Sequence, residues 1–319
     1  MKRETPPWLW ALLLILAIAL PLALHFGGQD FYISMLSRMM IYGIAACSLN
    51  LILGFGGLVS FGHAAFVGIG AYTVGIMITE GVTNGWVNFA VAMAVSALAA
   101  AVIGAISLRT RGVYFIMITL AFAQMIYYLV NSIKAYGGDE GLNIKFRSNF
   151  GMGLNLKNDL TFYFVVLFVL VITLILISRM MKSRFGRVIL AIRDDDTRVE
   201  AIGFPAYTYK WVLFTVAGTL GGLAGALMVN HQNYVSPNLM HWTQSGILMV
   251  MVILGGVGTL SGGLWGALVL LILEDLIAEH TVYWQFYIGW FLLAVVLLAP
   301  KGLSSFFNRP PKVKVKGHS

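Results

Sequence analysis

Charge is scarce in this sequence. Only 11% of its 319 residues are Asp, Glu, Lys or Arg, less than half of the roughly one quarter usual in soluble domains. Acidic residues are the rarer sign, 13 against 21 basic. No Ser/His/Asp signature stands in a soluble context and no paired catalytic groups appear, which argues against an enzyme. Cysteine occurs once, as Cys47 within an apolar run, so an internal disulfide is excluded and the redox compartment is not encoded there. Metal-ligand spacings are missing. The stretch Tyr136-Gly-Gly-Asp-Glu-Gly-Leu142 is glycine-rich but is not followed by Lys-Ser/Thr, and no other stretch matches a phosphate loop. The expectation is a chain that binds no cofactor and hydrolyses no nucleotide by itself.

What is abundant is apolar surface: 59% of residues are hydrophobic and the mean hydropathy is +0.84. A membrane-spanning helix needs about 20 apolar residues. Ten segments qualify: 8–26, 32–53, 58–79, 86–107, 113–133, 161–178, 211–229, 244–260, 263–279 and 283–299. The expected fold is an all-α polytopic membrane protein, a single transmembrane domain over 1–319. The first segment follows Lys2 and Arg3 like a signal peptide, but it is long and no small-x-small cleavage site precedes Gly27, so it reads as a retained helix. Trp8, Trp86, Trp211 and Tyr283 stand at span ends as interface anchors.

The net charge of +8 would suggest nucleic acid in a soluble protein. Here the basic residues flank apolar spans, the pattern of topology signals, and no nucleic acid is expected. With the N-terminus inside, sixteen fall on the inner side. They are Lys2, Arg3, Arg109 and Arg111; Arg179, Lys182, Arg184, Arg187, Arg193, Arg198 and Lys210; and Lys301, Arg309, Lys312, Lys314 and Lys316. Outside fall Lys134, Lys145, Arg147 and Lys157. This sixteen-to-four bias places both termini, the loop 179–210 and the basic tail 301–319 in the cytoplasm, and the loop 134–160 outside. The tail is also suited to anionic lipid.

Two glycine-rich breaks interrupt the spans: Gly54-Phe-Gly-Gly-Leu-Val-Ser-Phe-Gly-His63 and Gly255-Gly-Val-Gly-Thr-Leu-Ser-Gly-Gly263. Offset by 201 residues, Gly54, Gly57, Ser60 and Gly62 align with Gly255, Gly258, Ser261 and Gly263. Paired breaks of this kind point to a transport site; they serve equally as tight cytoplasmic turns that let helices approach closely. Both fall on one side, as in a parallel duplication. Ionisable residues within spans are few. Arg38, Glu274 and Asp275 lie at matching depths near the outer face, so an ion pair is expected, with snorkelling as the alternative. His63 is either a pathway residue or a packed core histidine. Asn50, Ser60, Thr119 and Gln124 are polar candidates for a solute path, Gln124 sharing a helix face with Asn131.

In the loop 179–210, Phe185, Val188, Ile189, Ile192, Val199 and Ile202 recur at helical intervals until Gly203 and Pro205. This predicts one amphipathic helix. Its mixed charges, Arg193, Asp194, Asp195, Asp196, Arg198 and Glu200, favour a protein partner over bare lipid.

These residues carry a resemblance. Leu49-Asn-Leu-Ile-Leu-Gly-Phe-Gly-Gly-Leu-Val-Ser-Phe-Gly-His-Ala-Ala-Phe66 resembles the LivM-type permeases of branched-chain amino-acid ABC importers. So do Arg111-Gly-Val-Tyr-Phe115 with Thr119-Leu-Ala-Phe122, Ser183-Arg-Phe-Gly-Arg187 through Glu200-Ala-Ile-Gly203, and Val252-Ile-Leu-Gly-Gly-Val-Gly-Thr-Leu260. The resemblance implies a bacterial inner-membrane permease that pairs with a second homologous permease. It also implies two cytoplasmic ATPase subunits that use ATP and Mg, and a periplasmic solute-binding protein. Glu200, Ala201 and Gly203, with Arg187, Arg193 and Asp194 of the same loop, match the ATPase-coupling segment. Urea, amide and aromatic-acid importers share this permease type. On the residues alone, an ion-coupled secondary transporter remains the competing reading, weakened by the scarcity of mid-span carboxylates.

Overall fold

The computed structural model describes residues 7–144, 147–151, 156, 158–298 and 302. The tail 301–319, apart from Gly302, lies outside the described residues, as do Lys2, Arg3, Lys145 and Lys157. Hydropathy becomes helix along most of the chain: α1 (Pro7–Phe26), α2 (Asp30–Asn50), α3 (His63–Thr79), α4 (Gly85–Ser107), α5 (Val113–Ser132) and α6 (Asp159–Lys182). Then follow α7 (Arg184–Asp194), α8 (Asp196–Ala201), α9 (Ala206–Gln232), α10 (Trp242–Gly255), α11 (Gly262–Ala278) and α12 (Trp284–Leu298). A two-residue antiparallel ladder between β1 (Leu142–Asn143) and β2 (Tyr234–Val235) is the one sheet among the described residues. The protein is an all-α polytopic membrane protein. Among the described residues five helices, α2 with its π-helical extension to Phe55, α4, α5, α6 and α9, are long and apolar enough to cross a bilayer.

The outside of the bundle explains the composition. Leu98, Met117, Leu129 and Phe168 project outward, each more than half exposed. On a soluble surface such a belt would drive aggregation. Against hydrocarbon it costs nothing, and by the same token no hydrophobic pull holds the helices together. Close backbone contact does that work. In α9, Gly218, Gly221, Gly222 and Gly225 form a stripe at helical spacing. A Cβ on Gly218 would press on Ala100, one on Gly222 would overlap Ser96, and one on Gly225 would land on the backbone of Val67. Helix α9 thus runs through the middle of the bundle against α3 and α4, and Gly70 of α3 meets Gly222 from the other side.

Sequence expectation and structure differ at three places. The span 58–79 begins only at His63, because residues 58–62 continue the first glycine break as turn. The span 244–260 stops at Gly255, where Gly256 adopts a φ of 116° that ends the helix. The single amphipathic helix expected in 179–210 is two, α7 and α8. Asp195 takes an extended conformation between them, and its carboxylate accepts the Arg198 N–H at 3.1 Å, a side-chain cap that outcompetes helix continuation. As a result Ile189, Ile192 and Val199 turn into the bundle while Ile202 faces outward, 69% exposed.

The two ends of the bundle are built differently. At one end α7 and α8 share a core with Leu51, Phe66, Phe115 and Phe214, the three aromatic rings stacking edge-on at 5.5 and 6.2 Å. At the other, the 134–160 loop is tied down. The buried Asn230 side chain accepts from Ser148 N–H at 2.8 Å, Trp86 Nε1 donates to the Phe150 carbonyl at 3.1 Å, and Arg147 pairs with Asp159 at 2.9 Å. Tyr136 donates to Glu80 at 3.1 Å, and that hydrogen bond raises the pKa of its hydroxyl.

Replacing Gly225 with Leu places a side chain where α3 backbone lies, and is expected to lower unfolding free energy by about 3 kcal/mol. Gly246→Ala, which meets nothing within 4 Å, is expected to be near neutral. Thermal unfolding in mild detergent distinguishes them; equal losses in the two variants would remove the close-approach account of α9.

Candidate functional site at the junction of the two glycine breaks

The first break leaves α2 through a π-helical turn, Leu51–Phe55, a geometry concentrated at functional positions in helices. The second leaves α10 at Gly255 and enters α11 at Gly262. They are 201 residues apart in sequence and in direct contact in space. A Cβ on Gly54 would lie 2.8 Å from the Gly258 Cα and nearer still to its nitrogen. Only glycine at Gly54 permits that approach. Gly57 and Gly258 both adopt left-handed conformations, φ 69° and 73°.

One buried side chain stitches the turns together. Asn50, 1% exposed, donates from Nδ2 to the Thr259 carbonyl at 2.6 Å and accepts the Gly258 N–H on Oδ1 at 3.0 Å. It thereby satisfies two backbone groups of the turn that follows α10. Gly255 sits where a Cβ would overlap the Gly262 carbonyl, closing the α10–α11 hairpin. A Cβ on Gly263 would lie 2.6 Å from Cys47 N, so α11 rests on α2 backbone. Gly62 does the same against the Thr119 carbonyl, where a Cβ would come to 2.5 Å, and its N–H is held by Ser60 Oγ at 3.3 Å.

Helix α7 is latched to this junction through Arg193. Its NH1 donates to the Gly54 carbonyl at 2.9 Å, and its stem passes so close to Gly57 that a Cβ there would lie 2.7 Å from Cγ. Asp194 stands 3.6 Å from the other guanidinium nitrogen. Helix α8 is clamped to the start of α9 by an ion pair between Lys210 and Asp196, both largely shielded from solvent. Arg187, Glu200, Ala201 and Gly203 face away from the bundle, alongside exposed Ile202 and Phe204. Gly203 has φ 93° and open space around it. The result is a mixed apolar and charged knob, joined through Arg193 to both glycine breaks.

The two breaks pack directly against each other at the α7 end of the bundle. His63 is fully buried 2.7 Å from Ser48 Oγ. Because Ser48 spends its proton on the Ala45 carbonyl, Nε2 of His63 carries the proton it donates to Ser48, leaving Nδ1 a buried acceptor without a partner. Thr119 donates to the Ile116 carbonyl at 3.0 Å. Gln124 keeps a buried Nε2 with no partner. Arg38 lies 3.5 Å from Glu274 and 3.4 Å from Asp275, all three side chains about a quarter to a third exposed. Among the described residues no group of three or more His, Cys, Asp or Glu side chains gathers as a metal site.

The stripe Gly218, Gly221, Gly222 and Gly225 went unread in the sequence, although its small residues at positions i, i+3, i+4 and i+7 are a packing signature. Asn230, the anchor of the 134–160 loop, carries no local signal, because its partner Ser148 stands 82 residues away.

Residues 31–299 match the family model described as branched-chain amino acid transport system / permease component. The LivM permease of the high-affinity branched-chain amino acid transport system of Salmonella typhimurium is 27% identical over 327 residues, covering 95% of this chain and 76% of the relative. A probable LivM of Methanocaldococcus jannaschii is 23% identical, covering 74% and 78% of the two chains. The LivH permease of Escherichia coli is 22% identical, covering 86% and 93%. No solved structure matches the chain.

Asn50→Ala takes the acceptor from the Gly258 N–H and leaves the Thr259 carbonyl with only the Gly262 N–H at 3.3 Å, an expected loss of about 2 kcal/mol. Arg193→Ala, whose guanidinium keeps access to water, is expected to cost about 1 kcal/mol. Denaturant unfolding of both variants checks the order; an Asn50→Ala protein as stable as the parent would remove the stitch.

Proposed function

The chain belongs to the family of branched-chain amino acid transport permeases and is the membrane permease subunit of an ABC importer; we propose from this premise that its cargo is a branched-chain or other hydrophobic amino acid. The names of its LivM and LivH relatives support that cargo. Urea, amides and aromatic acids are the alternatives within the same permease type. In this reading the chain is a single permease domain over 1–319 in the bacterial inner membrane. It has ten spans, both termini are cytoplasmic, and it has no ATPase site of its own.

The observation that carries the mechanism is the Arg193 latch. A knob formed by α7 and α8 is attached, through one guanidinium, to the turn that ends α2 and the turn that ends α10. Two cytoplasmic ATPase subunits, using ATP and Mg, would grip the exposed Glu200–Gly203 face and the equivalent face of a second homologous permease. Drawing the knobs together moves the glycine junction, and with it the α2–α3 and α10–α11 helix pairs, between inward- and outward-open states. The glycines suit this task because close backbone contact without side chains lets one packed arrangement exchange for another. A periplasmic binding protein would deliver the solute to the loop 134–160, held firm by Asn230 and Trp86. The unpartnered Gln124 amide, with Thr119 on the same helix, marks the α5 side of the solute path. Asn50, Ser60 and His63 sit deeper, between the moving pairs. An ion-gradient carrier is the competing mechanism. It would not need the knob.

Affinity purification of the tagged chain from native membranes, followed by mass spectrometry, is expected to recover a second permease and two ATPases. Recovery of the chain alone, with uptake that follows an ion gradient and ignores ATP, would sink the importer mechanism. Gly203→Val forces a β-branched residue into a left-handed conformation on the knob. It is expected to abolish solute-stimulated ATP hydrolysis while membrane insertion stays intact, and undiminished stimulation would free the knob of its coupling role.

A further inference from the structure

After α9 the chain turns back into the bundle. Val235 of β2 lies against α3 at Gly75, where a Cβ would come to 3.2 Å from its Cγ1, and Met240 lies against Gly68 of the same helix. Residues 235–240 therefore descend about two turns of α3 in irregular backbone that ends in the 3-10 turn Pro237–Met240. Helix α10 begins at the bottom of this descent. Its Ser245 Oγ accepts the Ala64 N–H at 2.9 Å, level with the first turn of α3. From Ala64 to Thr79, at about 1.5 Å per residue, roughly 22 Å of helix remains before the 134–160 end. On the other side, Gly62 touches the Thr119 carbonyl, six residues and roughly 9 Å into α5 from the α7 end. The start of α10 thus stands inside a hydrocarbon core about 30 Å thick. Polar side chains open out of the bundle at this depth. Thr243 is exposed, Trp242 is 40% exposed, and His241 and Gln244 are partly so. The rings of Phe61, Trp242, His241 and Tyr127 form a row, with neighbouring centroids 6.3, 5.8 and 5.3 Å apart, that runs from the first glycine break to α5. Amphipathic rings facing lipid belong at the membrane edges. Irregular backbone at mid-depth persists only where protein buries it or water reaches it, and this chain leaves the start of α10 open.

We propose that the start of α10, His241 to Gln244, with Gln124 and Tyr127 of α5, is the wall of the water-filled solute path at mid-membrane and the place where this chain selects its solute. The aromatic row packs the apolar part of the solute. His241, Gln244 and the Gln124 amide, whose Nε2 is buried without a partner, hydrogen-bond its polar groups, and Thr243 Oγ1 positions the imidazole at 2.9 Å from Nδ1. This deepens the importer reading, on which it rests for the solute being an amino acid. The lining suits a zwitterion with an apolar side chain. It carries no carboxylate, lysine or arginine, so it offers hydrogen bonds to both ends of the molecule and a fixed charge to neither, as a site must when it has to release what it admits. The wall is also tied to the coupling machinery. Phe61 lies in the first glycine break, which Arg193 fastens to α7, so movement of the knob displaces one end of the row.

The test is thiol labelling of the full importer in native membrane vesicles with a charged methanethiosulfonate, the adducts being read on this chain by mass spectrometry. Buried Cys47 of the wild type sets the background. Phe168→Cys, on the outward face of α6 where Phe168 is 65% exposed, reports a site in hydrocarbon. Thr243→Cys is expected to react roughly a hundredfold faster than Phe168→Cys, the degree to which a charge is excluded from the bilayer centre. Asn238→Cys, at an exposed position of the descending segment, is a second reporter should Thr243→Cys fail to assemble. ATP-driven leucine uptake is expected to be lost as either cysteine is modified. Cysteines at both positions that react no faster than Phe168→Cys would overturn the proposal and show this face sealed dry by the second permease. Uptake that survives complete modification would overturn it as well. Uptake of urea in place of leucine, stopped by the same modification, would uphold the wall and remove only the amino-acid cargo.

Discussion

Asn50 closes two turns at once, and most of what is distinctive in this bundle hangs on it. A helix that breaks within or beside a membrane exposes backbone groups that neither lipid nor a distant side chain can satisfy. Here α2 and α10 break at the same level, and one amide answers the open groups between them, donating to Thr259 and accepting from Gly258. That is possible only because Gly54 and Gly258 approach without Cβ atoms. With the breaks joined, Arg193 reaches a single carbonyl and fastens α7 to both. Without them α7 and α8 would keep the apolar contacts of Ile189, Ile192 and Val199 and the Lys210–Asp196 clamp but lose their tie to the two breaks.

The same economy governs the rest of the packing. Lipid removes the hydrophobic incentive for helices to associate, so proximity itself must supply the attraction. Helix α9 meets α3 and α4 along a glycine stripe, and α11 meets α2 at Gly263 and Gly43, the latter against Leu264. Polar side chains at these contacts are few and mostly engaged: Ser96 to the Phe66 carbonyl, Ser245 to the Ala64 N–H, Ser48 to His63. The outward leucines and phenylalanines then become solvent-facing in the relevant solvent.

Much of this was legible in the residues. Hydropathy located the helices because a backbone in hydrocarbon has few options, and the offset of 201 residues aligned the two breaks as parallel counterparts without saying that they touch. The matching depth of Arg38, Glu274 and Asp275 anticipated the distances now seen between them. What could not be read was anything set by contacts between distant segments. That Gly54 faces Gly258, that Arg193 turns inward while Glu200 turns outward, and that Asn230 anchors the 134–160 loop all depend on tertiary placement. The division of α7 from α8 was within reach, since Asp195 three residues before Arg198 is a capping arrangement, but helical periodicity across 185–202 masked it. The boundary at His63 was lost for a related reason: Leu58, Val59 and Phe61 are apolar enough to prolong a hydropathy run through a segment whose glycines make it turn.

Helix α9 differs from α2 and α10 in having no break. Its 27 residues run unbroken from Ala206, beside the Lys210–Asp196 clamp, to Gln232, two residues before β2 and its ladder with the 134–160 loop. At about 1.5 Å per residue that is a stiff strut of roughly 40 Å between the two faces of the membrane. A strut conveys tilt in both directions. A partner bound at the 134–160 loop and another bound at the α7–α8 knob would act on the two ends of one lever, and each would then change the other's affinity by the same factor.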